Sequence, residues 1–118
     1  MKTTQEVANR LVELCRAGKV LEAGQELYAD NIESIEPSTA QTPHAKGKAA
    51  VSEKGKQFAS MIEERFGASY SDPVVGGKYF SIAMMLDATL KGMGRQKLDE
   101  ICVYEVNDGK IVREQFYY

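Results

Sequence analysis

Near its C-terminal end the chain reads Val103-Tyr104-Glu105-Val106-Asn107-Asp108-Gly109-Lys110-Ile111-Val112-Arg113-Glu114. Asn107-Asp108-Gly109 is typical of a tight hairpin turn, because Asn, Asp and Gly tolerate the positive φ that such turns require. Apolar and polar residues alternate on both sides of this turn, which indicates strands. The sequence therefore predicts a hairpin with strands over about 96–106 and 111–118.

The residues before this hairpin continue the period of two. Tyr79 to Leu90 is a strong strand candidate, and Val74-Val75 form a shorter one. Gly76-Gly77 and Gly92-Met93-Gly94 are typical of turns between them. An antiparallel meander is expected over the second half of the chain.

The first half shows helical spacing instead. One helix is expected after a Thr3 or Thr4 cap, and a shorter one around Val20–Tyr28. Residues 31–37 predict a short strand, and residues 38–47 a loop. A long helix is then expected from about Lys48 to Phe66, with Gly67 as its C-terminal stop. Its apolar stripe consists of Val51, Phe58, Met61, Ile62 and Phe66.

Helices followed by an antiparallel meander predict an α+β fold. A long, twisted sheet can curl around helices into a cone and enclose a small cavity, which is a common type of ligand site. The 118 residues suit one domain, residues 1–118.

Composition argues against several classes of function. The net charge is −2, and no concentrated basic face is evident, so no nucleic-acid partner is expected. No apolar run is long enough to cross a bilayer and no secretory signal is evident, so no membrane partner is expected. The two cysteines lie in apolar patterns far apart and indicate buried thiols in a reducing compartment. We therefore expect a cytoplasmic protein without metal or cofactor.

Lys54 is the most informative residue of the long helix. It stands three residues after Val51 and four before Phe58, within the apolar stripe. A buried ammonium group is costly unless it is paired, so an opposing carboxylate is expected. The alternative is that its head reaches water from the edge of the stripe.

Strand alternation supplies candidate partners for Lys54. Glu100 shares a face with Leu98, Cys102, Tyr104 and Val106, and Glu114 shares one with Val112, Phe116 and Tyr118. Both are therefore candidates for inward carboxylates, although these faces could instead meet solvent or a partner subunit. Glu36, directly before Pro37, is the third candidate, at the rim of the sheet, with an exposed turn acid as the alternative.

The remaining pocket candidates are His44, Phe58, Tyr104, Phe116 and Tyr118. His44 is the single histidine and lies in a loop that could cover the pocket. Carboxylates and a lysine in an apolar cavity shift one another's pKa values and could move a proton next to a carbonyl. The same groups could equally form a static network that fixes the helix on the sheet.

The order of elements resembles the SnoaL-like members of the nuclear transport factor two-like superfamily. The resemblance covers essentially the whole chain and is carried by Tyr28-Ala29-Asp30, Ile35-Glu36-Pro37, Gly47 and the quoted hairpin. It implies a cone-shaped α+β fold, commonly a homodimer through the outer sheet face. The family includes polyketide cyclases, ketosteroid isomerases, hydratases and non-enzymatic binding domains.

The resemblance also implies a role for Glu36, since the isomerases carry a general-base carboxylate before a proline at the end of the first strand. The sequence departs from the isomerases in two ways. No tyrosine precedes Tyr28, so the tyrosine donor of the first helix has no counterpart, and Cys102 stands near the position of the second acid.

Two functions remain open at this point. In the first, the chain is an isomerase, cyclase or lyase acting on a small hydrophobic or polar organic molecule. Glu36 or Glu114 is then the base, and Lys54 orients it or stabilises an oxyanion. In the second, it is a non-catalytic ligand-binding or dimeric assembly domain with a structural Lys-Glu network.

Overall fold

The computed structural model describes residues 1–118 and contains three helices and seven strands. The helices are α1 (Thr4–Arg16), α2 (Val20–Leu27) and α3 (Lys48–Met61). The strands are β1 (Tyr28–Ile35), β2 (His44–Lys46), β3 (Ile62–Tyr70), β4 (Val74–Gly76), β5 (Tyr79–Leu90), β6 (Gly94–Asn107) and β7 (Lys110–Tyr117).

All seven strands belong to one curved sheet that does not close. The strand order is β2-β1-β7-β6-β5-β3, with β4 also paired to β5. The α+β class is confirmed. One pair departs from the expected antiparallel pattern, because β1 and β7 run parallel. No short turn joins these two strands, so their direction is not fixed by a hairpin.

The third helix is shorter than the expected span of 48–66. It ends at Met61, and the next residues form β3, which pairs with β5 from Ile62 opposite Leu90 to Tyr70 opposite Met84. Gly67 is therefore not a helix stop but lies beside a register shift within β3. The free edge of β5 offers hydrogen bonds to this segment, and the β-forming residues Ile62 and Phe66 suit a strand.

The first helix has the expected N-terminal cap. The Thr3 side chain accepts from the backbone N–H of Glu6, and the Glu6 carboxylate accepts from the backbone N–H of Thr3. This reciprocal pair satisfies two N–H groups that the helix itself leaves free. The apolar side of α1 then packs in the main core, with Val7, Ala8 and Leu11 almost fully buried.

The predicted hairpin forms at Asn107–Lys110. Asp108 and Gly109 have φ of 51° and 75°, as a two-residue turn of this type requires. In β6 the even-numbered residues Cys102, Tyr104 and Val106 face inward and are buried, as alternation predicted. We call this side of the sheet the inner face, and the opposite side the outer face.

Strand β7 departs from simple alternation. Ile111, expected on the face opposite Glu114, is fully buried in the main core, and Glu114 is buried as well. A register shift between Glu105 and Val106, where β6 pairs with β7, accounts for the change of face. Such a bulge adds one residue on one strand, so residues an odd number apart can share a face.

The inner face carries two apolar clusters. The larger lies beneath α1 and α2, and the smaller consists of Leu86, Ala88 and Leu90. Between them on the sheet lies the pair of Met84 on β5 and Glu100 on β6. A carboxyl group therefore separates the two apolar clusters of the inner face. None of the helices is long and apolar enough to span a membrane.

Candidate functional site

Glu114 is the most deeply buried acid of the chain, with 3% of its surface exposed. Its Oε1 accepts from the hydroxyl of Tyr28, and its Oε2 accepts from the hydroxyl of Ser34 over 2.7 Å. Burial raises the pKa of Glu114, while these two hydrogen bonds and the charge of Lys54 oppose the rise. Both oxygens are thus occupied by donors from the first strand.

Ser34 connects Glu114 to the third helix. Its side chain is fully buried, and it pairs with Glu114 across the parallel β1–β7 ladder. The ammonium group of Lys54 donates to the Ser34 hydroxyl, which in turn donates to Glu114. Lys54 therefore reaches Glu114 through a serine and not directly.

The outer end of this chain of contacts is the ion pair between Lys54 and Glu36. Nζ of Lys54 lies 3.5 Å from Oε1 of Glu36, with 18% and 20% of the two side chains exposed. Oε2 of Glu36 is buried and has no hydrogen-bond partner. A buried carboxylate oxygen without a donor is costly to a folded protein. It is therefore the clearest sign of a missing partner in this cluster.

Glu100 is the third acid of the cluster. The thiol of Cys102 lies 3.8 Å from its Oε1 and is its one side-chain partner. Burial, followed by the negative charge of Glu36, raises the pKa of Glu100 to about 7. Near neutral pH this carboxyl group is present in both protonation states, which is the range that suits proton transfer.

Two aromatic residues, one on β7 and one directly after it, complete the cluster. The Lys54 ammonium group lies 5.4 Å from the centre of the Phe116 ring. Burial, followed by the charge of Glu36, raises the pKa of Tyr118 to about 12. Tyr118 therefore keeps its proton and can donate it in a hydrogen bond near Glu36 and Glu100. We call Glu36, Lys54, Glu100, Glu114, Phe116 and Tyr118, together with Ser34 and Tyr28, the acid cluster.

Two residues expected in the pocket have other surroundings, and a third lies beside the acid cluster. His44 lies on β2, about half exposed, and its Nε2 is 3.2 Å from Oε2 of Glu33. Phe58 is 40% exposed on α3. Tyr104 pairs with Glu114 across the β6–β7 ladder and stacks on Phe80 in the main core, with ring centres 4.7 Å apart.

Two members of the acid cluster escaped the sequence reasoning, Ser34 and Tyr28. Ser34 lies between Ile32 and Glu36 at a spacing of two, so alternation alone places it on the same face as both. Tyr28 was assigned to the second helix, whereas it begins β1. A polar residue between two inward positions of a strand was the signal that could have found Ser34.

Two clefts lie outside the acid cluster. One is on the outer face, around Tyr79, Val103 and Arg113. The other lies between the end of α1 and β3, around Cys15, Arg65 and Tyr70. No three His, Cys, Asp or Glu side chains come together as a metal site would require.

The chain was compared with known families and structures. A model of the SnoaL-like domain matches residues 2–118. None of the curated proteins matches the chain. A Mesorhizobium loti protein that bears the name SnoaL-like polyketide cyclase, with carbohydrate phosphatase added in brackets, is 33% identical, over 99% of this chain and 100% of its own, with a TM-score of 0.94.

More distant structures share the fold alone. A cystatin-like protein of unknown function from Xanthomonas campestris is 15% identical over 98% of this chain and 90% of its own, with a TM-score of 0.82. A ketosteroid isomerase-like protein from Catenulispora acidiphila, solved with trimethylamine, is 16% identical over 98% of this chain and 87% of its own. Its TM-score is 0.75.

Proposed function

Because the chain belongs to the SnoaL-like domain family, we propose that it binds a small organic molecule at the acid cluster and catalyses a proton transfer on it. The reaction class is that of an isomerase, cyclase or lyase that needs no cofactor. Glu36 is the base, Glu100 the acid, and Lys54 holds Glu36 in place.

The observation that carries this proposal is the asymmetry of the Glu36 carboxylate. One oxygen is held by Lys54 and the other is buried without a donor. A fixed carboxylate with one free oxygen is suited to remove a proton from carbon. Glu114 is less suited to this role, because Tyr28 and Ser34 occupy both of its oxygens.

The proton transfer follows from these positions. Glu36 takes the proton from the carbon next to a carbonyl group. The electron pair of that C–H bond forms a C=C bond, and the π pair of the carbonyl group moves onto its oxygen. Protonated Glu100, or the Tyr118 hydroxyl, donates a hydrogen bond to the resulting enolate oxygen. Return of the proton to another carbon, or loss of a leaving group, then completes an isomerisation or an elimination.

Solvent access to the Lys54–Glu36 end also supports a ligand site. About a fifth of each side chain is exposed, whereas Ser34 and Glu114 are sealed. If the network were purely structural, we would expect both its Glu114 end and its Lys54–Glu36 end to be buried away from solvent. Of the two activities in the name of the Mesorhizobium loti relative, polyketide cyclase is consistent with carbonyl chemistry and carbohydrate phosphatase is not.

Hydrogen–deuterium exchange at carbon tests the proposal. We expect the protein to accelerate the loss of the α-proton NMR signals of an uncharged ketone, such as cyclohexanone or acetophenone, in D2O. Glu36→Gln should return the rate to background, because the amide cannot take up the proton. Glu33→Gln is the matched control, since Glu33 lies on β1 three residues before Glu36 but pairs with His44.

Two results would count against catalysis: exchange at the background rate for every ketone tested, or equal rates in the wild type and Glu36→Gln. Either result favours the second candidate, a non-catalytic binding or assembly domain. The sealed contacts of Glu114 with Tyr28 and Ser34 support that candidate, because they fix β1 on β7 without any ligand.

We further propose that the partner of the outer sheet face is a second copy of this chain. Ala83, Ile101 and Tyr117 lie side by side across three strands. Tyr79, Ile101 and Tyr117 each expose about half of their surface. Large apolar side chains concentrated on one face are typical of subunit interfaces.

A further inference from the structure

The acid cluster contains more negative than positive groups. Glu36, Glu100 and Glu114 face it from three different strands or strand ends, and Lys54 is the single basic residue bonded to any of them. Lys54 is 3.5 Å from Glu36 and reaches Glu114 through Ser34. The ammonium group is therefore shared by two of the three acids, and Glu100 has none of its own.

The partner of Glu100 cannot neutralise it. The Cys102 thiol lies 3.8 Å away and is fully buried, and burial holds its pKa well above the ordinary value. A neutral S–H is a weak donor and carries no charge. When Glu100 is ionised, its negative charge therefore has no ion-pair partner and is opposed only by the more distant charge of Lys54.

Glu100 also occupies a central place on the inner face. Its partner across the ladder is Met84, and this pair lies between the two apolar clusters of the sheet. Cys102, two residues after Glu100 on the same face of β6, pairs with Phe116. The Phe116 ring lies beneath the Lys54 ammonium group that is paired with Glu36. A ligand that reaches Glu36 from the inner face therefore comes close to Glu100. At short range and away from bulk water, two like charges repel by several times more than in water.

From this arrangement we propose that Glu100 is the specificity-determining residue of the site, and that its carboxylate makes the site reject negatively charged ligands in favour of uncharged ones. The location of the ligand at the acid cluster rests on the proposed function. Discrimination by charge does not require catalysis. Carboxylates and phosphate esters are therefore excluded, and ketones or esters are accepted.

Other titratable groups lie around Glu100 and bear on any pH dependence. They are Glu36, Lys54, Tyr70, Cys102, Glu114 and Tyr118. Burial raises the pKa values of Tyr70, Tyr118 and Cys102 above their ordinary values, so these three stay neutral between pH 6 and 8. Glu100, with a pKa of about 7, changes charge within that interval.

A matched pair of probes tests the inference. Methyl phenylacetate and phenylacetate share a ring and a carbonyl group and differ by one negative charge. Dissociation constants from chemical-shift titrations at pH 8 should favour the ester by about tenfold or more, as one uncompensated charge at short range predicts. Phenethylamine serves as the cationic probe.

In Glu100→Gln we expect phenylacetate to bind about three- to tenfold more tightly at pH 8, with a change of less than about twofold for the ester. Asp99→Asn, the neighbouring acid on the outer face of the same strand, is the matched control and should leave both constants unchanged. At pH 6, where Glu100 is mostly protonated, the dissociation constant of phenylacetate for the wild type should approach that of Glu100→Gln. This measurement also covers the case in which the variant folds poorly.

The inference is overturned if phenylacetate binds the wild type at pH 8 as tightly as the ester, or if neither probe binds at millimolar concentration. Weaker binding of phenethylamine than of phenylacetate at pH 8 also overturns the inference, because a carboxylate at the site repels the anion and attracts the cation. The proposed catalysis is tested separately. If the site distinguishes the two probes but the protein does not accelerate deuterium exchange, catalysis is refuted and the inference stands. If the protein accelerates exchange but binds both probes equally, the inference is refuted and catalysis stands.

Discussion

The buried hydroxyl of Ser34 donates a hydrogen bond of 2.7 Å to Oε2 of Glu114 across the parallel pairing of β1 and β7. The same hydroxyl accepts a hydrogen bond from Lys54. One small side chain therefore links the first strand, the last strand and the third helix. Its removal leaves a buried carboxylate oxygen without a donor and leaves Glu36 as the one remaining side-chain acceptor of the Lys54 ammonium group.

Replacing Ser34 by Ala is expected to lower the free energy of unfolding by about 1–3 kcal/mol, because unsatisfied buried polar groups retain their desolvation cost. Urea denaturation at pH 7 measures this change. Ser81→Ala is the control, since Ser81 lies on the outer face of β5 and its side chain makes no hydrogen bond. Equal stability of the two variants would show that the Ser34 link contributes nothing.

Lys54 and Glu36 are expected to be energetically coupled. Both side chains are about four-fifths buried and 3.5 Å apart. A double-mutant cycle with Lys54→Met and Glu36→Gln should give a coupling energy of about 1 kcal/mol, within the range for contacting residues. Lys54→Met alone should cost about 1–3 kcal/mol, because it also removes a donor to Ser34. If the two losses simply add, the ion pair does not contribute to stability.

The stability of the fold should decrease as the pH rises from about 4.5 to about 7. Glu100 has an ordinary pKa of 4.5 and a pKa of about 7 in the folded protein, so the native state binds more protons than the unfolded chain within this interval. By linkage, stability then falls with increasing pH and levels off above the folded pKa. The raised pKa of Glu114 acts in the same direction.

Glu100→Gln should remove a large part of this decrease. We expect the difference in the free energy of unfolding between the variant and the wild type to change by about 1–2 kcal/mol between pH 5 and pH 8. The change is kept this small because solvent reaches Glu100 and screens its charge. Urea denaturation at both pH values measures it, and groups titrating elsewhere cancel in the comparison. Asp99→Asn should keep the wild-type slope. An unchanged slope in Glu100→Gln would contradict the raised pKa.

The outer sheet face is expected to hold the chain as a homodimer. Ile101→Glu should convert the dimer to a monomer at micromolar concentration, because a carboxylate would be buried in the centre of the interface. Light scattering measures the mass of each species. Met93→Glu is the control, since Met93 is a similarly exposed apolar residue in the β5–β6 turn. A monomeric wild type would refute the dimer.

Much of the second half of the fold was predictable because its signals are local. Alternation along β6 depends only on the backbone of an extended strand, and the turn at Asn107–Gly109 depends on residues that tolerate positive φ. The end of α3 was not predictable in this way. Residues 62–66 continue an apolar helical spacing, and pairing with β5 makes them a strand instead.

The sequence by itself determined which residues carry charge on apolar faces, namely Lys54, Glu100 and Glu114, because periodicity assigns a side chain to a face before any partner is known. Only the tertiary structure decided how they connect. The parallel pairing of β1 with β7 places Ser34 beside Glu114, and the register shift in β7 brings Ile111 and Glu114 to the same face. Both depend on contacts between segments some 80 residues apart, and no local pattern encodes those contacts.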